Sequence, residues 1–257
     1  MSEMISFGAG VNSVAMTILL VNEGWRGPIV FADPGAEHPD TYCYIDYFER
    51  EWLKPRDLEV TRISPETCPE LYGKRYQGRT LYELCIGLGI VPLMQARWCT
   101  AEYKRTPLEK WANCNNITTE LVGIAQEEKH RAEKLKGRNE KIFPLIDRKI
   151  DRGGCVGIIE AEGLIKPRKS GCWFCPFQGA TQWSELYALY PELFKKAIEL
   201  EQSALAKMVG RGRQSQPLLG VNIGRTLKNL KVMIDWQIEL PLMPEPEYEY
   251  QMCECRL

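Results

Sequence analysis

The sequence predicts an α/β protein with a doubly wound, mostly parallel sheet and a helical, cysteine-containing C-terminal extension. Short apolar segments alternate with helical periodicity over residues 1–150. The apolar segments are nearly continuous, which is typical of strands buried on both faces of a parallel sheet. A long helical pattern then follows a loop rich in Pro, Gly and Cys near residue 170. We therefore expect a first domain over residues 1–164 and an extension over residues 165–257 that packs on it.

Each element follows from local composition and spacing. In chain order we predict strand Met4–Phe7, helix Ser13–Glu23, a strand within GPIVFADPG, helix Pro39–Trp52, a strand within LEVTRIS, a short helix Pro107–Asn113 and a strand within TELVGIA. Beyond them, WSELYALYPELFKKAIELEQSALAKM is strongly helical and is interrupted once near Pro191.

Bulk charge and hydropathy limit the function classes. The 257 residues carry 33 Lys and Arg against 34 Asp and Glu, a net charge of -1, so global charge does not indicate a nucleic-acid binder. The local basic stretches KPRK and GRGR leave a basic patch open. No apolar run approaches the length of a membrane span and the N-terminus lacks a signal pattern, so we expect a cytoplasmic protein.

The segment SFGAGVNSVAM joins the first strand to the first helix. Gly8, Ala9 and Gly10 would let a ligand approach the backbone, and Asn12 and Ser13 can cap the helix or bind a phosphate oxygen. Loops at the carboxyl edge of a parallel sheet are where ligands bind, and helix N-termini attract anions. The loop fits a phosphate-binding turn and a plain strand-to-helix turn equally well.

Carboxylates follow the second predicted strand. Asp33 stands at its end and Glu37 lies in the next loop, within FADPGAEHPDTY. At this edge they could orient a ligand or hold Mg²⁺. The alternative is that they cap loops and helix starts.

Cations surround a cysteine in ARWCTAEYKRTPLEKW. Arg97, Lys104 and Arg105 would lower the pKa of the Cys99 thiol if they converge in space, and Lys104 could meet phosphates as a point charge. A solvated cationic helix face is the alternative.

Charged residues also follow the strand that ends at Gly123. Glu127, Glu128 and Arg131 lie in LVGIAQEEKHRAEKLKG, again at the expected carboxyl edge. A charged helix start explains the same spacing.

Ten cysteines in a protein without secretory features argue against a disulfide framework. We interpret Cys43, Cys68, Cys85 and Cys114 as packing residues. Cys172 and Cys175 form Cys-X-X-Cys-Pro, a spacing that suits a tetrahedral metal or an iron–sulfur cluster but also a redox dithiol. Further candidate ligands are Cys99, Cys155 and the pair Cys253 and Cys255.

Taken together and in order, these segments resemble the phosphoadenosine phosphosulfate reductase-like proteins of the adenine nucleotide alpha-hydrolase (PP-loop ATP pyrophosphatase) superfamily, whose fold is of the HUP type. The segments are SFGAGVNSVAM, FADPGAEHPDTY, RWCTAEYKRTP, GIAQEEKHRA, PLIDRK with Cys155, and KSGCWFCPF. The resemblance covers roughly residues 4 to 200, and the terminal CEC is similar to the Cys-X-Cys tail of this subgroup.

The resemblance assigns roles to residues. The superfamily loop usually reads Ser-Gly-Gly-Lys-Asp-Ser, and here Val11 and Asn12 stand where the Lys and Asp would be. ATP and Mg²⁺ are the implied ligands. The implied nucleotide-binding residues are Ser6, Phe7, Gly8, Ala9, Gly10, Val11, Asn12, Ser13, Phe31, Ala32, Asp33, Gly35, Glu37 and Gly123. The implied catalytic residues are Lys104, Arg131 and Cys99, and the implied ligands of a 4Fe-4S cluster, with zinc as the alternative, are Cys172, Cys175, Cys155 and Cys99.

Three functions fit the resemblance. The first is ATP-dependent adenylation of a substrate oxygen followed by sulfur transfer, as in thiolation of DNA or tRNA, with a cysteine desulfurase or another sulfur donor as partner. The second is reduction of a sulfonucleotide, although the ending CECRL lacks the Gly and His of the reductase ending Glu-Cys-Gly-Leu-His. The third is a non-catalytic nucleotide- or nucleic-acid-binding module, which the loss of loop charges favours.

Overall fold

The computed structural model describes residues 2–135 and 137–235. Its centre is a five-stranded sheet in the order β3-β2-β1-β4-β5, and every neighbouring pair of strands is parallel. The strands are β1 Glu3–Ser6, β2 Ile29–Ala32, β3 Val60–Ile63, β4 Thr119–Val122 and β5 Glu140–Ile142. The predicted doubly wound α/β fold is confirmed.

Helices connect and cover the strands. They are α1 Val11–Asn22, α2 Pro39–Phe48, α3 Leu81–Leu88, α4 Trp98–Thr100, α5 Thr106–Cys114, α6 Lys129–Ala132, α7 Pro144–Asp147, α8 Arg152–Ala161, α9 Ala180–Leu189, α10 Pro191–Val209 and α11 Leu227–Asp235. Two π-helical turns, Glu49–Leu53 and Ala101–Arg105, continue α2 and join α4 to α5. None of the helices in the described ranges is long and apolar enough to cross a membrane.

The order of the strands creates a crevice at the carboxyl edge of the sheet. From β1 the chain winds outward through β2 and β3, then returns to the other side of β1 as β4 and β5. Ile5 and Ser6 of β1 therefore pair with both β2 and β4. In parallel sheets of this kind ligands bind where the winding direction reverses. That point lies beyond the ends of β1 and β4.

Two apolar clusters cover the two faces of the sheet. One contains Ile5 and Phe31 together with side chains of α1, α2 and α8. The other contains Met4 and Val30 together with side chains of α3, α9 and α10. Because neighbouring residues of one strand point to opposite faces, each strand supplies both clusters. The helices α9, α10 and α11 contribute side chains to the second cluster, and α10 packs against α3, α9 and α11. The domain division at residues 164 and 165 stays a prediction.

The buried carboxylate of Glu201 on α10 fixes the segment that follows this helix. Its side chain is completely buried. Oε1 accepts hydrogen bonds from the backbone N–H groups of Leu218, Leu219 and Gly220, and Oε2 accepts one from Leu227. Four buried donors thus depend on one side chain.

We expect Glu201→Ala to lower the free energy of unfolding by about 3–5 kcal/mol, because it leaves several buried N–H groups without an acceptor. Chemical denaturation followed by circular dichroism measures the change. Glu199→Ala is the matched control on the same helix, where Glu199 is exposed, and should change stability by less than about 0.5 kcal/mol. Equal effects of the two variants would contradict this role for Glu201.

Candidate functional site

The loop after β1 lies at the crevice. Its backbone turns at Ala9, which has a positive φ of 53°, and α1 begins at Val11, two residues before the predicted start. Ser13 therefore lies within the first turn, where its hydroxyl donates to the carbonyl of Gly10 and accepts from the Gly10 N–H. The first N–H groups of a helix have no partner within the helix, so the start of α1 offers donors to an anion.

Asn12 links this loop to the loop after β4. Its side-chain nitrogen donates to Glu128 Oε2 over 3.1 Å, and the other oxygen of Glu128 pairs with Arg131. The Asn12 Oδ1 atom is buried and has no hydrogen-bond partner among the described residues. Arg131 thus lies close to the start of α1, with half of its side chain exposed. The two segments that the sequence placed at one edge do meet there.

Gly123 permits this contact. A Cβ atom at residue 123 would lie 2.8 Å from Ser13 Cα and 2.9 Å from Ser13 N. Real Cβ atoms do not approach backbone atoms so closely, so α1 would have to move. Gly123 therefore sets how closely the first turn of α1 approaches the end of β4.

The cysteine loop joins the same edge through backbone hydrogen bonds. His38 N–H donates to the Gly171 carbonyl over 2.9 Å, and Trp173 N–H donates to the Ala36 carbonyl over 3.2 Å. Glu37 and Cys172 are paired in this short antiparallel bridge. The sequence segments FADPGAEHPDTY and KSGCWFCPF are therefore one structural unit.

Ser170 of that unit lies against Gly10 in the loop after β1. A Cβ atom on Gly10 would lie 3.0 Å from Ser170 Oγ, so only a glycine fits without displacing Ser170. The loop after β1, the loop after β2 and the cysteine loop consequently border one crevice. Sequence reasoning did not identify Ser170, because no local pattern indicates which residue faces Gly10.

Lys104 lies between the carboxylate of Glu37 and the cysteines. The π-helical turn Ala101–Arg105 carries it, and such turns occur often at functional sites. Its ammonium group donates to Glu37 Oε1. The Glu37 side chain is fully buried whereas 34% of the Lys104 side chain is exposed. Burial opposes the charged form, but Glu37 and the nearby Cys172 raise the pKa of Lys104, so it stays a cation.

Three of the predicted ligand cysteines come together. Cys99, Cys172 and Cys175 lie within electrostatic range of one another, and burial raises the pKa of each thiol. Lys104 and Arg97 act on Cys99 in the lowering direction, as the sequence suggested. Burial outweighs them, so the expected lowering of the Cys99 pKa is wrong in its net direction.

The fourth predicted ligand lies elsewhere. Cys155 is fully buried on α8 in the cluster that also contains α1, and burial beside Glu127 raises its pKa to about 12. Cys85 of α3, which was expected only to pack, lies within electrostatic range of Cys99. Cys253 and Cys255 lie outside the described residues.

A metal centre is not preformed by these side chains. Within residues 2–135 and 137–235, no three Cys, His, Asp or Glu side chains are grouped so that they could hold a metal ion. The described cysteines therefore do not fit a 4Fe-4S cluster or zinc as they stand. Both cofactors stay predictions.

The Asp33 carboxylate accepts hydrogen bonds from its own loop and from α2. Its Oδ1 accepts from the Tyr42 hydroxyl and from the Gly35 N–H, each over 2.7 Å. Burial raises the pKa of Asp33 above its ordinary value. Neither feature favours a magnesium ligand, and Mg²⁺ coordination by Asp33 stays a prediction.

The raised pKa of Asp33 makes the free energy of unfolding depend on pH. Between the unfolded and the folded pKa the folded state holds the extra proton, so stability falls as pH rises through this window. We expect Asp33→Asn to raise the melting temperature at pH 7 and to have little effect below pH of about 3.5. Thermal unfolding at the two pH values measures this, and an equal effect at both would contradict it.

The remaining predicted nucleotide residues follow the same edge. Phe7 and Phe31 are buried side chains of the core, so only their backbones could contact a ligand. Ala32 ends β2, and Gly35 has a φ of +65° with its α-carbon against Thr80. Ser6 ends β1 beside Val122. The strands thus deliver these backbones to the crevice.

Family membership is decided by comparison with known proteins. The family model for the phosphoadenosine phosphosulfate reductase domain matches residues 2–148. The chain belongs to this family. The resemblance inferred from the sequence motifs is thereby confirmed, and the match includes the loop after β1, Lys104 and Arg131.

Individual relatives are distant. An uncharacterized protein of Methanocaldococcus jannaschii is 24% identical over an alignment 208 residues long, which covers 76% of this chain and 46% of the relative. The chain therefore spans about half the length of the curated relative that it matches.

Solved structures of similar shape include two enzymes. The phosphoadenylyl-sulfate reductase of Candida auris, in a phosphate complex, has a TM-score of 0.45 at 12% identity, with 67% of this chain and 82% of that chain covered. The U34-tRNA thiolase NcsA of Methanococcus maripaludis, with its [4Fe-4S] cluster, has a TM-score of 0.47 at 14% identity, with 96% and 83% covered.

Proposed function

We propose that this protein is an ATP pyrophosphatase-type enzyme that adenylates an oxygen of a nucleic-acid acceptor, DNA or tRNA, and so prepares it for replacement by sulfur. The observation that carries the proposal is the contact of Gly10 with Ser170. Through this contact the loop after β1 lies beside the pocket that Cys172 and Cys175 line. An ATP-binding loop next to half-buried thiols suits sulfur transfer better than simple nucleotide binding.

In this proposal the start of α1 receives the phosphates of ATP. The loop Gly8–Ser13 lacks a cation, so positive charge must come from other elements. Lys104 and Arg131 supply it from the loops after β3 and β4. Preorganised charges of this kind stabilise the pyrophosphate as it leaves. Mg²⁺ bound to the triphosphate would neutralise further charge.

The chemistry has two steps. The acceptor oxygen attacks the alpha phosphorus of ATP, the bond from that phosphorus to the bridging oxygen breaks, and pyrophosphate leaves with the electron pair. A hydrosulfide from a sulfur donor then attacks the acceptor atom, and AMP leaves with the original oxygen. The charge of Lys104 acts on the Cys172 thiol, and we assign this cation to charge stabilisation in the first step.

A second candidate is sulfonucleotide reduction, because the matching family model is that of the phosphoadenosine phosphosulfate reductase domain. Here a thiolate attacks the sulfur of the sulfonucleotide, the bond from that sulfur to the phosphate oxygen breaks, and the nucleotide leaves. A second thiol then attacks the S-sulfocysteine, which releases sulfite and leaves a disulfide. Cys172 and Cys175 are adjacent thiols that could perform both roles.

One pair of assays separates the two candidates. Full-length protein is incubated with ATP, Mg²⁺, single-stranded RNA or DNA and sulfide, and separately with phosphoadenosine phosphosulfate and a dithiol. We expect pyrophosphate in the first mixture and no sulfite in the second. Sulfite without pyrophosphate would replace our proposal with the reductase.

A further inference from the structure

Phe177 and Arg97 form an unusual pair beside the cysteine loop. Within residues 2–135 and 137–235, Phe177 is the most exposed of the Phe, Tyr and Trp residues, with 37% of its surface accessible. The Arg97 guanidinium carbon lies 5.4 Å from the centre of its ring. Arg97 itself has a positive φ of 44°, which costs a non-glycine residue energy and occurs often at functional sites.

The ring belongs to the wall of a pocket. Phe177, Cys172, Cys175 and Lys169 all line it, and Ser170 connects it to the loop after β1. Neither Arg97 nor Lys169 forms an ion pair with a carboxylate in the described part of the chain. The exposed ring, with Arg97 over it, therefore lines the same pocket as Lys169 and the two thiols.

We infer that Phe177 is a stacking platform for an unpaired nucleobase of the acceptor, with Arg97 and Lys169 contacting the adjoining phosphates. Proteins bind single-stranded nucleic acid through this combination of an aromatic face and nearby positive charge. A base stacked on Phe177 would bring its edge toward Cys172 and Cys175. The inference rests on the proposed function for its acceptor, but the binding itself needs no turnover.

A nucleobase could also come from ATP. We assign the phosphates of ATP to the loop Gly8–Ser13. We assign its adenine to the backbone at the end of β2. Phe177 belongs to the cysteine loop, which meets the loop Gly8–Ser13 through Ser170. We therefore assign the ring to the acceptor, and the experiment includes ATP to distinguish the two sources.

The test measures equilibrium binding without catalysis. A fluorescein-labelled single-stranded RNA, the same sequence as DNA, a duplex of it, and ATP alone are titrated against the full chain without sulfide. We expect Phe177→Ala to weaken single-strand binding about tenfold, to leave ATP binding unchanged, and Phe177→Trp to restore wild-type affinity. Val209→Ala, at another exposed apolar residue, is the control and should change nothing.

Two outcomes would overturn the inference. Single-strand affinity of Phe177→Ala within twofold of wild type would exclude a stacking role. Loss of ATP affinity alone would assign the ring to adenine instead. If Phe177→Ala does not fold by circular dichroism, Arg97→Gln replaces it and should weaken single-strand binding about threefold. If the wild-type protein releases no pyrophosphate, the proposed function is refuted. The binding measurement still tests the stacking role of Phe177.

Discussion

We expect Lys104→Met to reduce ATP-dependent pyrophosphate release about 100- to 1000-fold. The estimate corresponds to the loss of one preorganised charge that stabilises the leaving group. The substitution also leaves the fully buried Glu37 carboxylate without its cation. We therefore expect the free energy of unfolding to fall by about 2 kcal/mol, a modest value because the Lys104 side chain is partly exposed. Initial rates of pyrophosphate release and urea denaturation measure the two effects.

A double variant separates the chemical role of Lys104 from its structural one. Glu37→Gln combined with Lys104→Met removes the uncompensated charge, so stability should recover while pyrophosphate release stays low. Lys104→Arg keeps the charge and should retain more activity than Lys104→Met. If the double variant regains both stability and activity, Lys104 serves only to neutralise Glu37.

The second large effect is expected at Gly123. Gly123→Ala places a methyl group 2.8 Å from the Ser13 α-carbon, so the first turn of α1 must move away from β4. We expect ATP affinity to fall about tenfold or more, because the donors at the start of α1 lose their position. Overpacking should also cost about 1–3 kcal/mol of stability. Calorimetric titration with ATP and thermal unfolding measure these changes.

Gly157→Ala is the matched control for the same substitution. Gly157 lies on α8, and a Cβ atom there would meet nothing within 4 Å. The helix should gain up to about 1 kcal/mol from alanine, with ATP affinity unchanged. Wild-type ATP affinity in Gly123→Ala would show that the contact between Gly123 and Ser13 does not shape a nucleotide site.

Much of the fold could be predicted because its strands are apolar and its helices are periodic. The strands β1, β2, β3 and β4 lie within or next to the predicted segments, and the helices around Pro191 have the predicted interruption. By contrast, β5 is the three-residue segment EKI and carries no apolar run. Likewise, α8 contains three glycines, so its helical propensity is low, and packing against α1 stabilises it.

The segments that form the site could be predicted from the sequence. The individual residues that contact one another within it could not. Strand ends of a parallel sheet meet at one edge, so Asn12 and Arg131 could be expected near each other. The pairing of Glu37 with Cys172 joins residues far apart in the chain, and no local pattern encodes it. Cysteine spacing likewise could not tell that Cys85, and not Cys155, lies within electrostatic range of Cys99.

The central claim is that the loop after β1 binds the phosphates of ATP for cleavage between the alpha and beta phosphorus atoms. The most direct test incubates the full chain with ATP labelled at the alpha phosphate, Mg²⁺, sulfide and single-stranded RNA or DNA, and separates the nucleotide products. We predict AMP in amounts equal to the pyrophosphate released, with the AMP yield falling in Gly123→Ala. Formation of ADP and phosphate, or no cleavage with any acceptor, would contradict the claim.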